Sequence, residues 1–241
     1  MTDQTALVYL IPCTIAPDSQ HQVITAQVRK VISEVNYYLV ENIRSARRFI
    51  SSLNIRDVST IEFEVFNKHT ANSEISALMS PIERGLSIGV ISEAGCPAIA
   101  DPGNRIVLWA HHHQIRVVPL SGPSSIILAL MASGLNGQHF EFHGYLPIDK
   151  TLRLKKIKLL ENESLKTGQT QIFMETPYRN QSLAVQLVEQ CNLETLICFA
   201  SDITDTSEAI ITTTVEKWRN HLPDLHKKPT IFLMQARSSH F

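Results

Sequence analysis

The chain has 241 residues, of which 44% are hydrophobic and 19% are charged, and its formal net charge is −1. This length accommodates one large domain or two modest ones, and the composition supports a packed core and excludes a disordered chain. The near-neutral charge excludes a protein that is basic overall, although a local basic patch could still bind nucleic acid.

Short apolar runs alternate with helical patterns through the first half of the chain. Strands are predicted at residues 6–11, 37–40, 60–66, 87–91 and 115–120. Helices are predicted at residues 20–35, 45–53, 74–84, 106–113 and 124–132. Because strands that alternate with helices form parallel sheets, this half of the chain predicts a parallel α/β fold.

Beyond Gly144 the pattern contains more strand per residue. Strands are predicted at residues 171–175, 196–201, 209–215 and 230–235, and helices at residues 150–163 and 181–191. Glycine and proline punctuate the segment Phe142–Pro147, which marks a domain boundary. We therefore predict an N-terminal α/β domain at residues 1–143 and a C-terminal α/β domain at residues 144–241.

Cysteine spacing and the first residues bear on the cellular compartment. No Cys-x-x-Cys pair occurs among Cys13, Cys96, Cys191 and Cys198, so we expect no structural zinc and no other metal site. The sequence starts without the basic segment and apolar run of a secretory signal, and no apolar run is long enough to cross a bilayer. We expect a cytoplasmic protein with free thiols and no membrane association.

Two glycine-bearing loops stand out as candidate ligand sites. Eight of the nine glycines fall between Gly85 and Gly144, and the loops Ser92–Gly103 and Ser121–Ser125 each follow a predicted strand and lead into a helix. Ligands of open α/β sheets bind at the carboxyl ends of strands, where backbone N–H groups can hold a carboxylate or phosphate. Each loop alone is also compatible with an ordinary turn or helix cap, whereas the pair favours a ligand site.

Common nucleotide and hydrolase signatures are absent from these loops and from the rest of the chain. No Gly-x-Gly occurs, which excludes the dinucleotide-binding fingerprint, and no phosphate-binding P-loop occurs. There is also no Gly-x-Ser-x-Gly nucleophile elbow. Any ligand of the two loops is therefore bound in a different way.

Four segments together resemble the tetrapyrrole methylase superfamily, and within it the ribosomal RNA small subunit methyltransferase I family. They are Gly89–Gly103, Val117–Ser125, Leu128–Leu135 and Phe142–Pro147, and their order and spacing match those of the family. A weaker likeness extends from about Leu7 to about Leu233, and so covers nearly the whole chain.

This resemblance implies a class III methyltransferase with two α/β domains, S-adenosylmethionine in the cleft between them, and a homodimeric assembly. It implies rRNA as the partner and acceptor, with 2′-O-methylation of a ribose as a step of rRNA processing. The residues that it assigns to the cofactor are Glu93, Ala94, Gly95, Cys96, Ile99, Ala100, Ser124, Ser125, Met174 and Thr230.

Segments outside the cofactor loops depart from the family pattern. Pro12–Pro17 lacks the glycine that the family carries after its first strand, and Glu41–Arg44 has Asn and Ile where the family tends to show Asp and Thr. Ser201–Asp205 has Ser and Asp in place of an Arg and a Lys. Because cations provide much of the affinity for RNA, these departures affect the acceptor more than the methyl donor.

A hydroxyl acceptor requires a base to remove its proton, since the cofactor supplies only the activated methyl group. Glu41 is the first candidate for this catalytic base, with Arg44 as its orienter or as a cation that binds the acceptor. The alternative is that the two residues form a surface salt bridge at a helix start. Glu93 and Glu175 are further candidates for the base.

Three functions remain open on the sequence. An RNA ribose methyltransferase predicts a basic surface, for which the chain offers Arg44, Arg47, Arg48, Lys68 and Arg179. A methyltransferase for a small molecule such as a tetrapyrrole predicts a deep apolar trough. A non-catalytic homologue predicts cofactor binding without turnover.

Overall fold

Residues 6–237 are described by the computed structural model, in two units that divide between Ser124 and Ser125. The strands of the first unit are β1 (Val8–Ile11), β2 (Tyr37–Val40), β3 (Glu62–Val65), β4 (Ile88–Ile91) and β5 (Val117–Pro119). Its helices are α1 (Gln20–Val23), α2 (Ala26–Glu34), α3 (Ile43–Ser52), α4 (Ile75–Leu78) and α5 (Asn104–His112). Short 3₁₀ turns lie at Val58–Thr60, Asn72–Glu74 and Ser80–Arg84.

The five strands of the first unit form one parallel sheet in the order β3-β2-β4-β1-β5, which confirms the predicted parallel α/β fold. All residues of β2 and β4 are buried, as expected for central strands covered on both faces. Tyr38 packs with α2 and α3 on one face, and Leu39 packs with α4 and α5 on the other. The carboxyl ends of these strands therefore meet at one edge of the sheet.

Helix caps explain where the first unit departs from the predicted elements. The Thr25 hydroxyl accepts a hydrogen bond from the amide of Val28 at 3.2 Å and starts α2, so the single helix predicted over residues 20–35 is two helices. The side chain of Asn42 accepts from the amides of Arg44 and Ser45 and starts α3 directly after Glu41. An asparagine between a strand and a helix thus fixes the position of Glu41 at the sheet edge.

The second unit contains β6 (Phe140–Tyr145), β7 (Thr170–Met174), β8 (Leu196–Ser201), β9 (Ala209–Thr214) and β10 (Thr230–Gln235). Its helices are α6 (Ser125–Ser133), α7 (Lys150–Thr167), α8 (Asn180–Gln190) and α9 (Val215–Asn220). The sheet order is β6-β7-β10-β8-β9. Only β6 and β7 are parallel, because β10 runs antiparallel to β7 and β8, and β9 runs antiparallel to β8.

The division between the units lies earlier in the chain than residues 143 and 144, where the sequence predicts it. Ile126 and Ala129 of α6 belong to a core cluster with strand residues of the second sheet, and β6 pairs with β7. Gly144 has φ +64° and lies at a register shift within β6, so it marks an irregularity in a strand and not a domain boundary. Both α6 and β6 therefore belong to the second unit.

The longest helix, α7, has a buried face and a basic outer face. The Asp149 carboxylate accepts from the amide of Leu152 at 2.8 Å to start the helix, and Gly168 ends it with φ +71°. Its exposed lysines are Lys150, Lys155, Lys158 and Lys166. Neither this helix nor any other within residues 6–237 is both long enough and apolar enough to cross a membrane.

Candidate functional site

The loop after β4 has a specific backbone conformation that its residues impose. Gly95, Ala98 and Ala100 have φ of +70°, +67° and +60°, in the left-handed region that L residues rarely adopt. One carboxylate oxygen of Asp101 accepts hydrogen bonds from the amides of Ala98 at 2.8 Å and Gly103 at 2.6 Å. Asp101 thus offsets the strain of two alanines by tying both ends of the turn together.

Neighbouring loops of the first unit pack against this loop. The amide of Cys13, in the loop after β1, donates to the carbonyl of Gly95 at 3.0 Å, and the Cys96 thiol donates to the carbonyl of Pro123 at 3.3 Å. A Cβ atom on Gly122 would lie 2.2 Å from the ring of Pro12, so only glycine permits this approach. The two predicted glycine-bearing loops therefore lie together at the carboxyl edge of the sheet.

Backbone donors of this loop fit a carboxylate-bearing ligand. Within residues 6–237, the amides of Ala94, Gly95 and Cys96 donate to no other group. Successive free amides in a turn can hold an anionic group such as the carboxylate of a methionine moiety. The side chain of Ile99 is 50% exposed and offers an apolar contact, and Ala100 is exposed beside it.

The candidate cofactor residues of the second unit lie on two neighbouring strands and a helix start. Met174 is the last residue of β7 and pairs with Ile231, so Thr230 at the start of β10 lies next to it. Met174 is half-buried, and Thr230 is buried with its hydroxyl donating to the carbonyl of Lys228 at 2.9 Å. Ser125 is the first residue of α6.

Glu41 lies directly after β2, beside the loop that follows β4. Its carboxylate accepts a hydrogen bond from the amide of Glu93 at 3.4 Å. Burial raises the pKa of Glu41, the charges of Asp101 and Glu93 raise it further, and the hydrogen bond from Glu93 lowers it. Burial also raises the pKa of Asp101, against the effect of its two amide donors. A carboxylate with a raised pKa is better suited to accept a proton at neutral pH.

Arg44 and Glu175, the other residues considered for proton transfer, have different partners in the structure. Arg44 makes no ion pair with Glu41 in the structure, so the surface salt bridge between them is not formed. Glu175 is buried and held by the guanidinium of Arg179 and the amide of Thr176 at 2.6 and 2.7 Å. Glu175 is therefore a structural partner of Arg179 and is not free to act as a base.

A pocket that the sequence did not predict lies between the loop after β1, α3 and the start of the β4 loop. It encloses about 340 Å³. Residues that line it are Cys13, Thr14, Ile15, Ala16, Pro17, Asp18, Gln20, Ser45, Ala46, Arg48, Phe49, Ser52, Ile91, Ser92 and Glu93. We name this cavity the α3 pocket. Its wall includes Glu93, whose amide is bonded to Glu41 and whose carboxylate accepts from the Ser45 hydroxyl at 3.5 Å.

The five cations proposed for one basic surface have different surroundings. The guanidinium of Arg47 lies over the ring of Phe63, 5.5 Å from its centroid, whereas Arg48 lines the α3 pocket. Arg179 is neutralised by Glu175. Arg179 is therefore not available to a basic surface, whereas Arg44, Arg47, Arg48 and Lys68 are exposed. Arg47 and Arg48 are adjacent in sequence, and the orientation of α3 against the sheet gives them different neighbours.

Comparisons with known proteins identify the family of this chain. Residues 20–218 match the family model described as tetrapyrrole (corrin/porphyrin) methylases. The ribosomal RNA small subunit methyltransferase I of Vibrio cholerae is 33% identical over 204 residues, which are 85% of this chain and 67% of that protein. Its namesake in Mesorhizobium japonicum is 31% identical over 82% of this chain and 65% of that protein. The protein of the same name in Haemophilus influenzae is 28% identical over 98% of this chain and 81% of that protein. The chain thus spans about two thirds of the length of the first two relatives.

Two solved structures share the fold. The methyltransferase CobJ is 16% identical with a TM-score of 0.64, over 96% of this chain and 94% of that one. The uroporphyrin-III-C-methyltransferase of Thermus thermophilus is 16% identical with a TM-score of 0.55, over 95% of this chain and 94% of that one. The family match, the identity to the relatives and the shared fold agree on one assignment. The chain belongs to the tetrapyrrole methylases, a family of S-adenosylmethionine-dependent methyltransferases.

Proposed function

We propose that this protein transfers a methyl group from S-adenosylmethionine to small-subunit rRNA, at a ribose 2′-hydroxyl. The observation that carries the proposal is the position of Glu41, a carboxylate of raised pKa that is hydrogen-bonded to the loop after β4. The relatives of this chain are named ribosomal RNA small subunit methyltransferase I, which supports rRNA over a tetrapyrrole as the methyl acceptor.

The cofactor, when bound, supplies a methyl group already activated on a sulfonium. In the first unit, the free amides of Ala94, Gly95 and Cys96 hold its carboxylate, and Ile99 provides an apolar surface. The further residues that we propose as cofactor contacts are Glu93, Ala100, Ser124, Ser125, Met174 and Thr230.

Glu41 acts in this proposal as the base for the acceptor hydroxyl. Its carboxylate has only one hydrogen-bond donor in the described residues, the amide of Glu93, so oxygen lone pairs remain available. Arg44 is exposed, its guanidinium has no ion-pair partner within residues 6–237, and it lies three residues after Glu41. We assign it to the acceptor, because a free guanidinium binds phosphate oxygens in bidentate fashion.

Further phosphate contacts are available on the outer face of α7. Lys155 and Lys166 lie opposite the buried face of the helix and have no carboxylate partner within residues 6–237. Lys158 lies at the side of that face and pairs with Glu161 at 3.3 Å. Exposed lysines without partners can replace the counterions of a phosphate backbone. The lysines of this helix compensate for the Arg and Lys that the family carries and that this chain lacks within Ser201–Asp205.

We also propose that the protein is cytoplasmic and homodimeric.

Methyl transfer can be measured directly. The purified chain is incubated with S-adenosylmethionine labelled in the methyl group and with total RNA from cells that lack this protein. We expect label in small-subunit rRNA that is lost when the ribose 2′-hydroxyl of the target is replaced by hydrogen. Label in no RNA, together with measured cofactor binding, would contradict the proposal and favour a small-molecule acceptor or a non-catalytic homologue.

A further inference from the structure

We infer that the α3 pocket binds the acceptor nucleoside of the RNA, with the base taken out of its stack. This inference rests on the proposed function and adds to it the place and the chemical class of the acceptor. The pocket volume of about 340 Å³ falls in the range of roughly 300–1,000 Å³ that is usual for small-ligand sites. It is large enough for one nucleoside and too small for a folded RNA element.

The inner wall of the pocket suits the faces of a planar base. Cys13, Ala46, Phe49 and Ile91 are all buried residues of the first core cluster, and all four line the pocket. Apolar and aromatic atoms pack against the faces of a base that has left its stack. The same wall offers little to a highly hydrated ligand.

The rim of the pocket suits a neutral ligand with both donors and acceptors. The Thr14 hydroxyl can donate or accept, and Gln20 adds an amide. The hydroxyls of Ser45 and Ser52 already donate within the protein and can accept from a ligand. The charged groups of the rim are Arg48, Asp18 and Glu93, a balance of one cation against two carboxylates. Two carboxylates repel a phosphate, so the ligand that matches this rim is a base with its ribose and not a phosphate group.

The location of the pocket agrees with this ligand. Glu93 lies in the pocket wall, and its amide donates to the carboxylate of Glu41. A base inside the pocket would therefore place its ribose on the Glu93 side, near the proposed catalytic base. Enzymes that do chemistry on a base take that base out of the stack, and we extend this geometry to a ribose acceptor.

Arg48 is the residue of the pocket that best tests the inference. It is exposed and is part of none of the ion pairs within residues 6–237, so its donors are available for a base edge. Arg47, the preceding residue on α3, is stacked on Phe63 instead and does not line the pocket. The two residues form a matched pair of the same chemistry on the same helix.

The experiment compares Arg48→Ala, Arg47→Ala and Ser52→Phe with the unchanged chain. Ser52→Phe is designed to fill the pocket from the C-terminal end of α3, where the Ser52 hydroxyl donates to the carbonyl of Phe49 at 2.7 Å. Transcribed small-subunit rRNA and labelled S-adenosylmethionine are the two substrates, and cofactor affinity is measured separately by calorimetry. Circular dichroism verifies that each variant is folded.

We expect Arg48→Ala and Ser52→Phe to reduce kcat/KM for the rRNA by about tenfold or more, which is usual for the loss of a base-specific contact. Cofactor affinity should stay within about twofold, and Arg47→Ala should change neither quantity by more than about twofold. Unchanged rRNA kinetics in both pocket variants would overturn the inference and leave the proposed function intact. Weaker cofactor binding in both would show that the pocket belongs to the cofactor, which also overturns it. If the unchanged chain methylates no rRNA, both the proposed function and this inference fall.

Discussion

Replacement of Glu41 by glutamine tests the catalytic proposal with little disturbance of the structure. Glutamine has the size of glutamate and keeps a carbonyl oxygen that can accept from the amide of Glu93, now at 3.4 Å from the carboxylate. The loop after β4 should therefore keep its conformation. Cofactor affinity should change by less than about twofold, because the variant retains the hydrogen bond to the loop.

The catalytic effect should be much larger than the binding effect. A general base contributes about 10²–10⁴-fold to a rate, so Glu41→Gln should reduce kcat by at least 100-fold while KM for the RNA changes little. In the unchanged chain, the acidic limb of the pH–rate profile should lie above the ordinary glutamate pKa of 4.5, because burial raises the pKa of Glu41. The variant should lack that limb.

Glu41→Gln should lower the catalytic rate but should not lower the thermal stability of the protein. Because the pKa of Glu41 is raised in the folded state, the folded protein holds this proton to a higher pH than the unfolded chain does. The stabilising effect of this group is complete below the ordinary pKa and is lost as the pH rises through the raised pKa. Glutamine avoids that loss, so the variant should melt at the same temperature or higher at pH 8, and this advantage should vanish at pH 4.

Labelled methyl transfer to rRNA, calorimetry and thermal melts at both pH values provide the readouts. Glu64→Gln is the matched control, because Glu64 is an exposed carboxylate on the neighbouring strand β3 and should change none of these quantities. If the Glu41→Gln variant keeps more than about a tenth of the kcat of the unchanged chain, Glu41 is not the catalytic base. A variant that melts lower at pH 8 would contradict the assignment of a half-buried, unfavourable charge to Glu41.

Three further substitutions test the packing around the site and the core. Gly122→Ala should lower the free energy of unfolding by about 1–3 kcal/mol, because its Cβ would meet the Pro12 ring at 2.2 Å; a urea titration that shows no change would contradict this. Glu161→Ala should lower the free energy of unfolding by about 2–4 kcal/mol, because the buried carboxylate of Glu161 accepts from a backbone amide at 2.6 Å and from a hydroxyl at 2.7 Å. Glu163 is an exposed neighbour on the same helix, and Glu163→Ala should lower the free energy of unfolding by under about 0.5 kcal/mol in the same titration. Asp101→Ala should weaken cofactor binding at least about tenfold by calorimetry, because the β4 loop loses both amide hydrogen bonds; unchanged affinity would show that the loop is held by other contacts.

Strands and helices with strong hydrophobic patterns were predictable from the sequence. β2 and β10 have the predicted bounds, and all five predicted strands of the first half exist. β6 was missed, because glycine and proline around Gly144 indicated a domain boundary, and the pairing with β7 makes this segment a strand. Local turn signals cannot report such a pairing, since the partner strand begins more than twenty residues later in the chain, at Thr170.

The candidate site was predictable only where it consists of contiguous sequence. The loop at Ser92–Gly103 and the short loop that ends at Ser125 were identified, and within the first unit the structure brings the two loops together. The free guanidinium of Arg44 was not predictable, because spacing alone also allowed a salt bridge with Glu41. Whether two side chains three residues apart meet depends on where the helix begins, and here Asn42 starts α3 between them.

The α3 pocket shows why the acceptor is harder to identify than the methyl donor. The β4 loop is one continuous segment, so its residue pattern survives in the sequence and can be recognised. The pocket wall combines the segment after β1, the outer turns of α3 and Glu93 after β4, which are distant in sequence. They meet because β4 lies between β2 and β1 in the sheet, so the segments that follow these three strands emerge side by side. The departures at Pro12–Pro17 and Asn42–Ile43 fall in or next to this wall, and not in the β4 loop.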